Sequence, residues 1–183
     1  MSASLTVPEL PAGPSLRLRP WRTADAGLVE DASTDPYIPT ITTVPAVYSP
    51  AAGQAFVERQ WGRASSGRGY PFVVARASDD HPVGFVGLWR DAPEEGRASL
   101  GYWVAPSARG QGVAAAALRA VSRWALRETG DLHRLELYIE PWNTASWHTA
   151  EKVGYRREGL LRAYQVVAGT RRDMLLYSLL RGD

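Results

Sequence analysis

The chain has 183 residues, of which 45% are hydrophobic and 22% charged, and a formal net charge of +2, a composition typical of one globular domain. It contains no cysteine, which excludes disulfides, thiolate catalysis and cysteine-ligated zinc, and its 3 histidines are too scattered for a metal site. We also find no apolar run long enough to cross a membrane, no secretory signal and no cluster of basic residues that would bind nucleic acid. We therefore expect a cytoplasmic protein that needs no metal.

The N-terminal segment separates into an arm and the start of a domain. Residues 1–14 are rich in proline and show no periodicity, so we predict a flexible arm there and a single domain over residues 15–183. The alternating sequence Leu16-Arg17-Leu18-Arg19 predicts a half-buried strand.

Two helices are predicted next, separated by irregular chain. Thr23 is a candidate cap for a helix at residues 24–32. Residues 34–50 contain several prolines and predict irregular structure. Ser49-Pro50 is a good start for a second helix, which we expect to run to about Ser65.

Three strands and a glycine-rich turn occupy the middle of the chain. Residues 72–77, 82–89 and 98–104 read as strands. The last of them is followed by Arg109-Gly110-Gln111-Gly112 and then by a helical sequence from Val113 to Glu128. A helix that opens on glycines without a capping side chain exposes backbone N–H groups at the positive end of its dipole. This turn predicts a site for a phosphate or pyrophosphate.

The C-terminal third predicts a strand, a short helix and a hairpin. Leu135, Leu137 and Ile139 alternate with polar residues as in a strand. Residues 145–153 predict a helix that ends at a glycine, and residues 155–180 predict two strands joined by a turn. Together the elements predict an α+β fold around a mixed, mostly antiparallel sheet.

Two motifs resemble those of the GCN5-related N-acetyltransferases (GNAT family). The sequence Val104-x-Pro106-x-x-Arg109-Gly110-x-Gly112-x-Ala114 is similar to the acyl-CoA-binding motif of that family. Residues 143–146 and 151–155 resemble its second hallmark. With Gly101-Tyr102-Trp103 included, the pattern is most similar to the RimJ/RimL-like branch, which modifies the N-termini of ribosomal proteins.

The resemblance implies a fold, a co-substrate and a reaction. The fold is a twisted sheet flanked by helices that splays open beside its fourth strand, where the pantetheine arm pairs with the backbone. The co-substrate is acetyl-CoA, and its acetyl group passes by direct attack in a ternary complex to a primary amine, either a protein N-terminal α-amine or a small-molecule amine. Transferred to this chain, the residues that contact acetyl-CoA are Trp103, Val104, Arg109, Gly110, Gln111, Gly112, Val113, Ala114 and Asn143.

Ser146 is the candidate general acid. Many family members carry a tyrosine seven residues after the motif asparagine, and this chain has Ala150 there. The RimL-type branch resembles this chain in placing a serine three residues after that asparagine, which is Ser146 here. Asn143 has a second interpretation as a helix cap, and Trp103 and Val104 also suit a sheet core.

The general base is left open by the sequence. Alignment with the RimL-type branch places Gln165 where that branch has a glutamate, and an amide cannot take a proton. Glu140 and Glu136 are alternatives by location, and a water chain is a third.

Two other functions stay open from the sequence alone. One is a catalytically silent sensor or scaffold that binds CoA. The other is an enzyme of the same fold that uses a longer acyl-CoA, or an antibiotic or polyamine as acceptor. Strands rich in tryptophan and tyrosine also suggest a homodimer.

Overall fold

The structure, a computed structural model, describes residues 4–183, except for the side chain of Asp91. The described residues form one eight-stranded sheet and five helices. The strands are β1 (Leu10–Pro11), β2 (Leu16–Arg19), β3 (Gly69–Arg76), β4 (Pro82–Ala92), β5 (Arg97–Val104), β6 (Arg134–Ile139), β7 (Arg156–Val167) and β8 (Thr170–Leu180). The helices are α1 (Ala26–Ser33), α2 (Ile38–Ile41), α3 (Pro50–Ser65), α4 (Val113–Glu128) and α5 (Thr144–Val153).

The sheet is mixed and mostly antiparallel, which confirms the predicted fold class. Its strand order is β1-β2-β3-β4-β5-β6-β8-β7. Neighbouring strands pair antiparallel except β5 and β6, which run parallel. That parallel pairing joins residues 97–99 to residues 134–136 and ends there. Beyond Ser99, β5 keeps β4 as its only paired neighbour, while β6 continues against β8. The sheet is therefore open between the second halves of β5 and β6.

Two apolar cores cover the two faces of the sheet. Helix α4 packs its apolar stripe, including Leu118 and Val121, against one face. Helices α1 and α3 cover the other face, where Phe56 lies against Trp103. Residues 72–75 of β3 are buried on both sides, which explains why that strand is continuously apolar rather than alternating.

The N-terminal segment differs from the predicted flexible arm. Leu10 and Pro11 pair with β2 as an edge strand, and Ala12 is buried against the α4 side of the sheet. The apolar side chains of this segment gain burial there, which outweighs the lack of local periodicity. Residues 1–3 of the predicted arm lie outside the described part of the chain.

The predicted irregular stretch at residues 34–50 contains helix α2. The carboxylate of Asp35 accepts the backbone N–H groups of Tyr37 and Ile38, both at 2.8 Å. These two bonds satisfy N–H groups that a helix start leaves without partners.

A buried ion pair anchors the start of α1. Arg19 is 2% exposed and donates to both carboxylate oxygens of Asp25, each at 2.8 Å. Its Nε also donates to Asp80 at 2.7 Å. Hydrogen bonding to Asp25 raises the pKa of the Arg19 guanidinium, although burial opposes this rise. The pair ties strand β2, the start of α1 and the turn between β3 and β4 together.

We expect Asp25→Asn to destabilise the fold strongly, because it removes the buried carboxylate that both Nη atoms of Arg19 bind and leaves the guanidinium with only the more exposed Asp80. Loss of one member of a buried pair costs about 3–5 kcal/mol. Asp79→Asn is the matched control, since the Asp79–Arg76 pair is half-exposed and such pairs contribute under about 1 kcal/mol. Urea unfolding at neutral pH measures both changes. Equal losses for the two variants would contradict the anchoring role of Arg19 and Asp25.

Candidate active site

Two cavities meet at the gap between β5 and β6. The first has a volume of about 550 Å³ and lies on the α3 side of the gap. The second has a volume of about 620 Å³ and reaches the glycine turn before α4. They are adjacent and share seven wall residues, namely Tyr37, Ile41, Thr42, Tyr102, Trp103, Asn143 and Ser146. We call them the acceptor cavity and the glycine-turn cavity.

The glycine turn contains two residues with left-handed backbone angles. Gly110 and Gly112 have φ angles of +77° and +74°, which side chains with a Cβ rarely adopt. No side chain caps the first turn of α4 after Gly112. Gly110 and Gly112 line the glycine-turn cavity together with Val113 and Ala114. Gln111 is exposed and does not belong to the wall of either cavity.

Arg109 pairs with a buried carboxylate. Its Nη2 lies 2.7 Å from Oδ2 of Asp35, and its Nε donates to the Val104 carbonyl at 3.3 Å. Burial favours a higher pKa for Asp35, but the N–H groups of Ile38 and Tyr37 and the Arg109 guanidinium lower it below its ordinary value. Arg109 is half-exposed and lines the glycine-turn cavity, so it faces both Asp35 and the predicted anion site.

Trp103 lies in the sheet core and also at the wall of both cavities. Its ring is buried and stacks on Phe85 at a centroid distance of 5.7 Å. Trp103 also lines both cavities, and Val104 lines the glycine-turn cavity. Both belong to the part of β5 that is unpaired on the β6 side.

Asn143 caps α5 in this structure. Its Oδ1 accepts the backbone N–H of Ser146 at 3.2 Å. The helix-cap interpretation of Asn143 is therefore confirmed, and the same side chain lies where the two cavities join.

The hydroxyl of Ser146 forms a pair with a tyrosine. Tyr102 Oη lies 2.9 Å from Ser146 Oγ and donates to the Ser146 carbonyl, also at 2.9 Å. Burial raises the pKa of Tyr102 to about 12, and the hydrogen bond to Ser146 opposes this rise. The Tyr102 phenol is consequently protonated near neutral pH. The sequence did not reveal this contact, because the two residues are 44 positions apart.

The two candidate bases lie in different environments. Glu140 is 4% exposed, lines the acceptor cavity and accepts the Tyr37 hydroxyl at 2.7 Å. Glu136 lines neither cavity and pairs with Arg134 at 2.6 Å. Burial favours a higher pKa for Glu136, but the hydrogen bond from Arg134 lowers it. Of the two, only Glu140 is placed to meet a molecule in the acceptor cavity.

Within residues 4–183, Asp91 side chain apart, no cluster of three metal-ligating side chains occurs. Among the helices of those residues, none is long and apolar enough to cross a membrane.

Comparison with known proteins identifies the family. A family model described as an acetyltransferase (GNAT) domain matches residues 15–156. YjcK of Bacillus subtilis (strain 168), an N-acetyltransferase by name, is 32% identical over 117 residues, which are 62% of this chain and 63% of YjcK. The ribosomal-protein-serine acetyltransferase of Escherichia coli (strain K12) is 29% identical over 111 residues, 61% of this chain and 62% of that protein. The chain thus matches slightly less than two thirds of each of these relatives.

A solved structure extends the similarity over nearly the whole chain. RimJ of Mycobacterium smegmatis, solved in complex with CoA-disulfide, is 30% identical with a TM-score of 0.76, covering 93% of this chain and 84% of RimJ. Together with the family match over most of the residues, this similarity shows that the chain belongs to the GNAT family of N-acetyltransferases, in its RimJ/RimL-like branch.

Proposed function

We propose that this protein transfers an acetyl group from acetyl-CoA to a primary amine, by direct attack while both substrates are bound. One observation carries the proposal. The glycine-turn cavity and the acceptor cavity are adjacent and share wall residues, among them Tyr102, Trp103, Asn143 and Ser146, beside the gap between β5 and β6. A thioester bound from one side can there meet an amine bound from the other, and holding two reactants in line supplies much of the rate.

The glycine-turn cavity suits the pyrophosphate of CoA. The uncapped N–H groups at the start of α4 point to an anion at the positive end of the helix dipole. Arg109 adds a positive charge at the same wall. From there the pantetheine arm would follow the edge of β5 at Trp103 and Val104, which has no strand partner on the β6 side.

Ser146 is proposed to protonate the departing thiolate. In the reaction the amine nitrogen forms a bond to the carbonyl carbon, the carbon–sulfur bond breaks, and the sulfur gains a proton. We propose that Tyr102 donates its hydrogen to the Ser146 carbonyl, since in the hydroxyl contact between Tyr102 and Ser146 either oxygen can be the donor. The Ser146 hydrogen is therefore the one that can be shared between Tyr102 Oη and a sulfur in the cavity. In this arrangement Tyr102 positions the serine hydroxyl and Ser146 is the acid.

Glu140 is proposed to take the proton that the attacking amine loses. It is a buried carboxylate in the wall of the acceptor cavity. Its hydrogen-bond partner Tyr37 lines both cavities, so Glu140 lies close to the place where they meet. A carboxylate there also attracts a protonated amine from solution. Glu136, fixed in ion pairs outside the cavities, does not serve this role in our proposal.

The acceptor class is proposed from the relatives. The E. coli relative is named for a serine of a ribosomal protein. We infer an N-terminal α-amine of a protein or a similar small-molecule amine for this chain. A library of peptides with free N-termini, run beside small amines, tests this by thiol release and mass spectrometry. We expect acetylated product from at least one amine class. Acetyl-CoA binding without turnover on any amine would replace the proposal with a silent CoA-binding protein.

We expect Gly112→Glu to abolish CoA binding while the fold persists. The substitution forces a side chain into a φ of +74° and places a negative charge at the proposed pyrophosphate site. Gly130→Glu is the matched control, because Gly130 has a φ of +77° with open space around it but lies at the other end of α4. Titration calorimetry with CoA compares them. Wild-type affinity in a folded Gly112→Glu protein would remove the anion site.

We expect Ser146→Ala to lower kcat by about 10²-fold with little change in acetyl-CoA Kd, since general acids contribute about 10²–10⁴-fold. Tyr102→Phe should lower kcat as well, because it frees the serine hydroxyl from its partner. If Tyr102 acts through Ser146, the double variant is no slower than Ser146→Ala alone. Wild-type turnover by Ser146→Ala, or additive losses in the double variant, would contradict this relation.

We expect Glu140→Gln to reduce kcat/KM for the amine by about 10²-fold, because the proton acceptor is lost while the shape is kept. The deficit should shrink as pH rises and more of the amine is neutral. Glu136→Gln is the control, and its folded fraction should turn over at the wild-type rate. A pH profile of Glu140→Gln that parallels wild type at a similar rate would leave a water chain as the base.

A further inference from the structure

If the acceptor cavity binds an amine as proposed, we propose further that the acceptor carries a carboxylate, which Arg63 binds. The inference rests on the proposed acetyl transfer and names the chemical class of its acceptor. Arg63 lies in the last turn of α3, and its side chain lines the acceptor cavity.

The Arg63 side chain is held in place by two contacts. Its guanidinium lies over the ring of Trp89, 4.8 Å from the ring centroid. Its Nη1 donates to Oε1 of Gln60 at 2.9 Å. Gln60 is fully buried, and its Nε2 donates to the Phe56 carbonyl at 3.1 Å. The guanidinium is therefore pre-oriented before any acceptor binds, which lowers the entropy cost of binding.

The charge on Arg63 lacks a partner. Among the side chains that the structure describes, no carboxylate lies within 4.0 Å of the Arg63 nitrogens. Burial and repulsion from Arg59 and Arg68 lower the pKa of Arg63, which nevertheless stays charged because a guanidinium has an unperturbed pKa above about 12. Four of its five N–H groups are left for another acceptor, and a carboxylate fits that fork with two parallel bonds.

The remainder of the cavity wall is nearly uncharged. Among the side chains that the structure describes, Glu140 is the one other charged residue in that wall. The other polar wall residues are neutral hydroxyl and amide side chains such as Thr40, Thr42 and Gln165. Arg59 fixes this wall from outside by donating to the Thr43 carbonyl at 2.9 Å. The cavity thus has one carboxylate for an amine and one guanidinium for an anion.

The strand register sets the separation of these two charges. Trp89, under Arg63, pairs with Ser99, and Ser99 pairs with Glu136. Glu140 lies four residues further along the same direction, about 13 Å at about 3.3 Å per residue, and two strands across from Trp89, about 10 Å at about 4.8 Å per strand, so that about 16 Å separates the two backbone positions. Four extended residues together with a glutamate side chain at their end reach about that far. A carboxylate within the first four residues of an acceptor peptide therefore suits Arg63 while the α-amine meets Glu140.

The test compares acceptors that differ only in charge. One set is amidated peptides with a free N-terminus and a glutamate or glutamine at the second, third or fourth position. The other set is an aliphatic ω-amino acid and its amide, which tells a small-molecule carboxylate from a peptide one. We expect wild type to favour the carboxylate member of at least one set by about 10-fold or more in kcat/KM, mainly through KM, as for a hydrogen bond to a charged group. Equal kcat/KM for charged and neutral members in both sets would overturn the inference.

Variants assign the preference to Arg63. Arg63→Ala should lose the preference, and Arg63→Lys should keep part of it. Arg68→Ala is the matched control, because it removes the same charge from an exposed residue outside the cavity wall and should keep the preference. Acetyl-CoA Kd should be unchanged in all three. A preference that persists in folded Arg63→Ala would assign the carboxylate to another site and contradict the inference.

A binding measurement separates this inference from the proposed function. Peptides that already carry an N-acetyl group cannot react, so their affinity for the CoA-bound protein reports on the cavity alone. We expect the glutamate product to bind more tightly than the glutamine product to wild type, and equally to Arg63→Ala. Absence of turnover on every amine would overturn the proposed function, whereas turnover and product binding without a charge preference would overturn only the role of Arg63.

Discussion

The site depends on the parting of two parallel strands. Strands β5 and β6 pair over residues 97–99 and 134–136 and then separate. Each strand stays supported after the separation, because β5 continues against β4 and β6 continues against β8. The sheet can therefore open without leaving either strand alone. The opening exposes one backbone edge of β5 in the interior of the protein and creates the space where the two cavities meet.

A short segment around α2 connects the two sides of that opening. Asp35 binds Arg109 at the glycine-turn cavity, and two residues later Tyr37 binds Glu140 at the acceptor cavity. Trp142 packs edge-on against Tyr37 with a centroid distance of 4.6 Å. The segment thus joins a group proposed for CoA binding to the group proposed as the base. A pyrophosphate would compete with Asp35 for the guanidinium of Arg109. Asp35 also accepts two backbone N–H groups at the start of α2.

Local patterns predicted the parts of the site that local sequence determines. The turn at Gly110 and Gly112 could be recognised from the sequence, because glycines that directly precede a helix without a capping residue are a distinct pattern. Asn143 and Ser146 lie in one helical turn, so the sequence also indicated that the two residues are close to each other. The mostly antiparallel sheet followed from the spacing of strands and turns.

Contacts between segments that are far apart in the chain could not be predicted from the sequence. Tyr37 and Glu140 are 103 residues apart, and the spacing of the motifs contains no signal for their bond. The same holds for the contact between Tyr102 and Ser146. The alternation of residues in β5 predicts which face of the sheet Tyr102 lies on, but not which residue it contacts there. Such contacts are fixed by the way the α2 segment, β5 and the chain from β6 to α5 come together, which only the folded structure defines. The choice between Glu140 and Glu136 illustrates this, because both are buried and only the position of Glu140 in the cavity wall and the ion pair of Glu136 with Arg134 tell them apart.

The central claim is that acetyl transfer takes place where the two cavities join. A crystal structure with a bisubstrate analogue, in which CoA is linked through an acetyl bridge to the N-terminus of an acidic peptide, tests it most directly. The account predicts that the bridging carbonyl lies between the Trp103–Val104 backbone and Ser146 Oγ, with the peptide in the acceptor cavity. An analogue that binds with its CoA part away from the glycine turn, or with its bridge outside the gap between β5 and β6, would contradict the account.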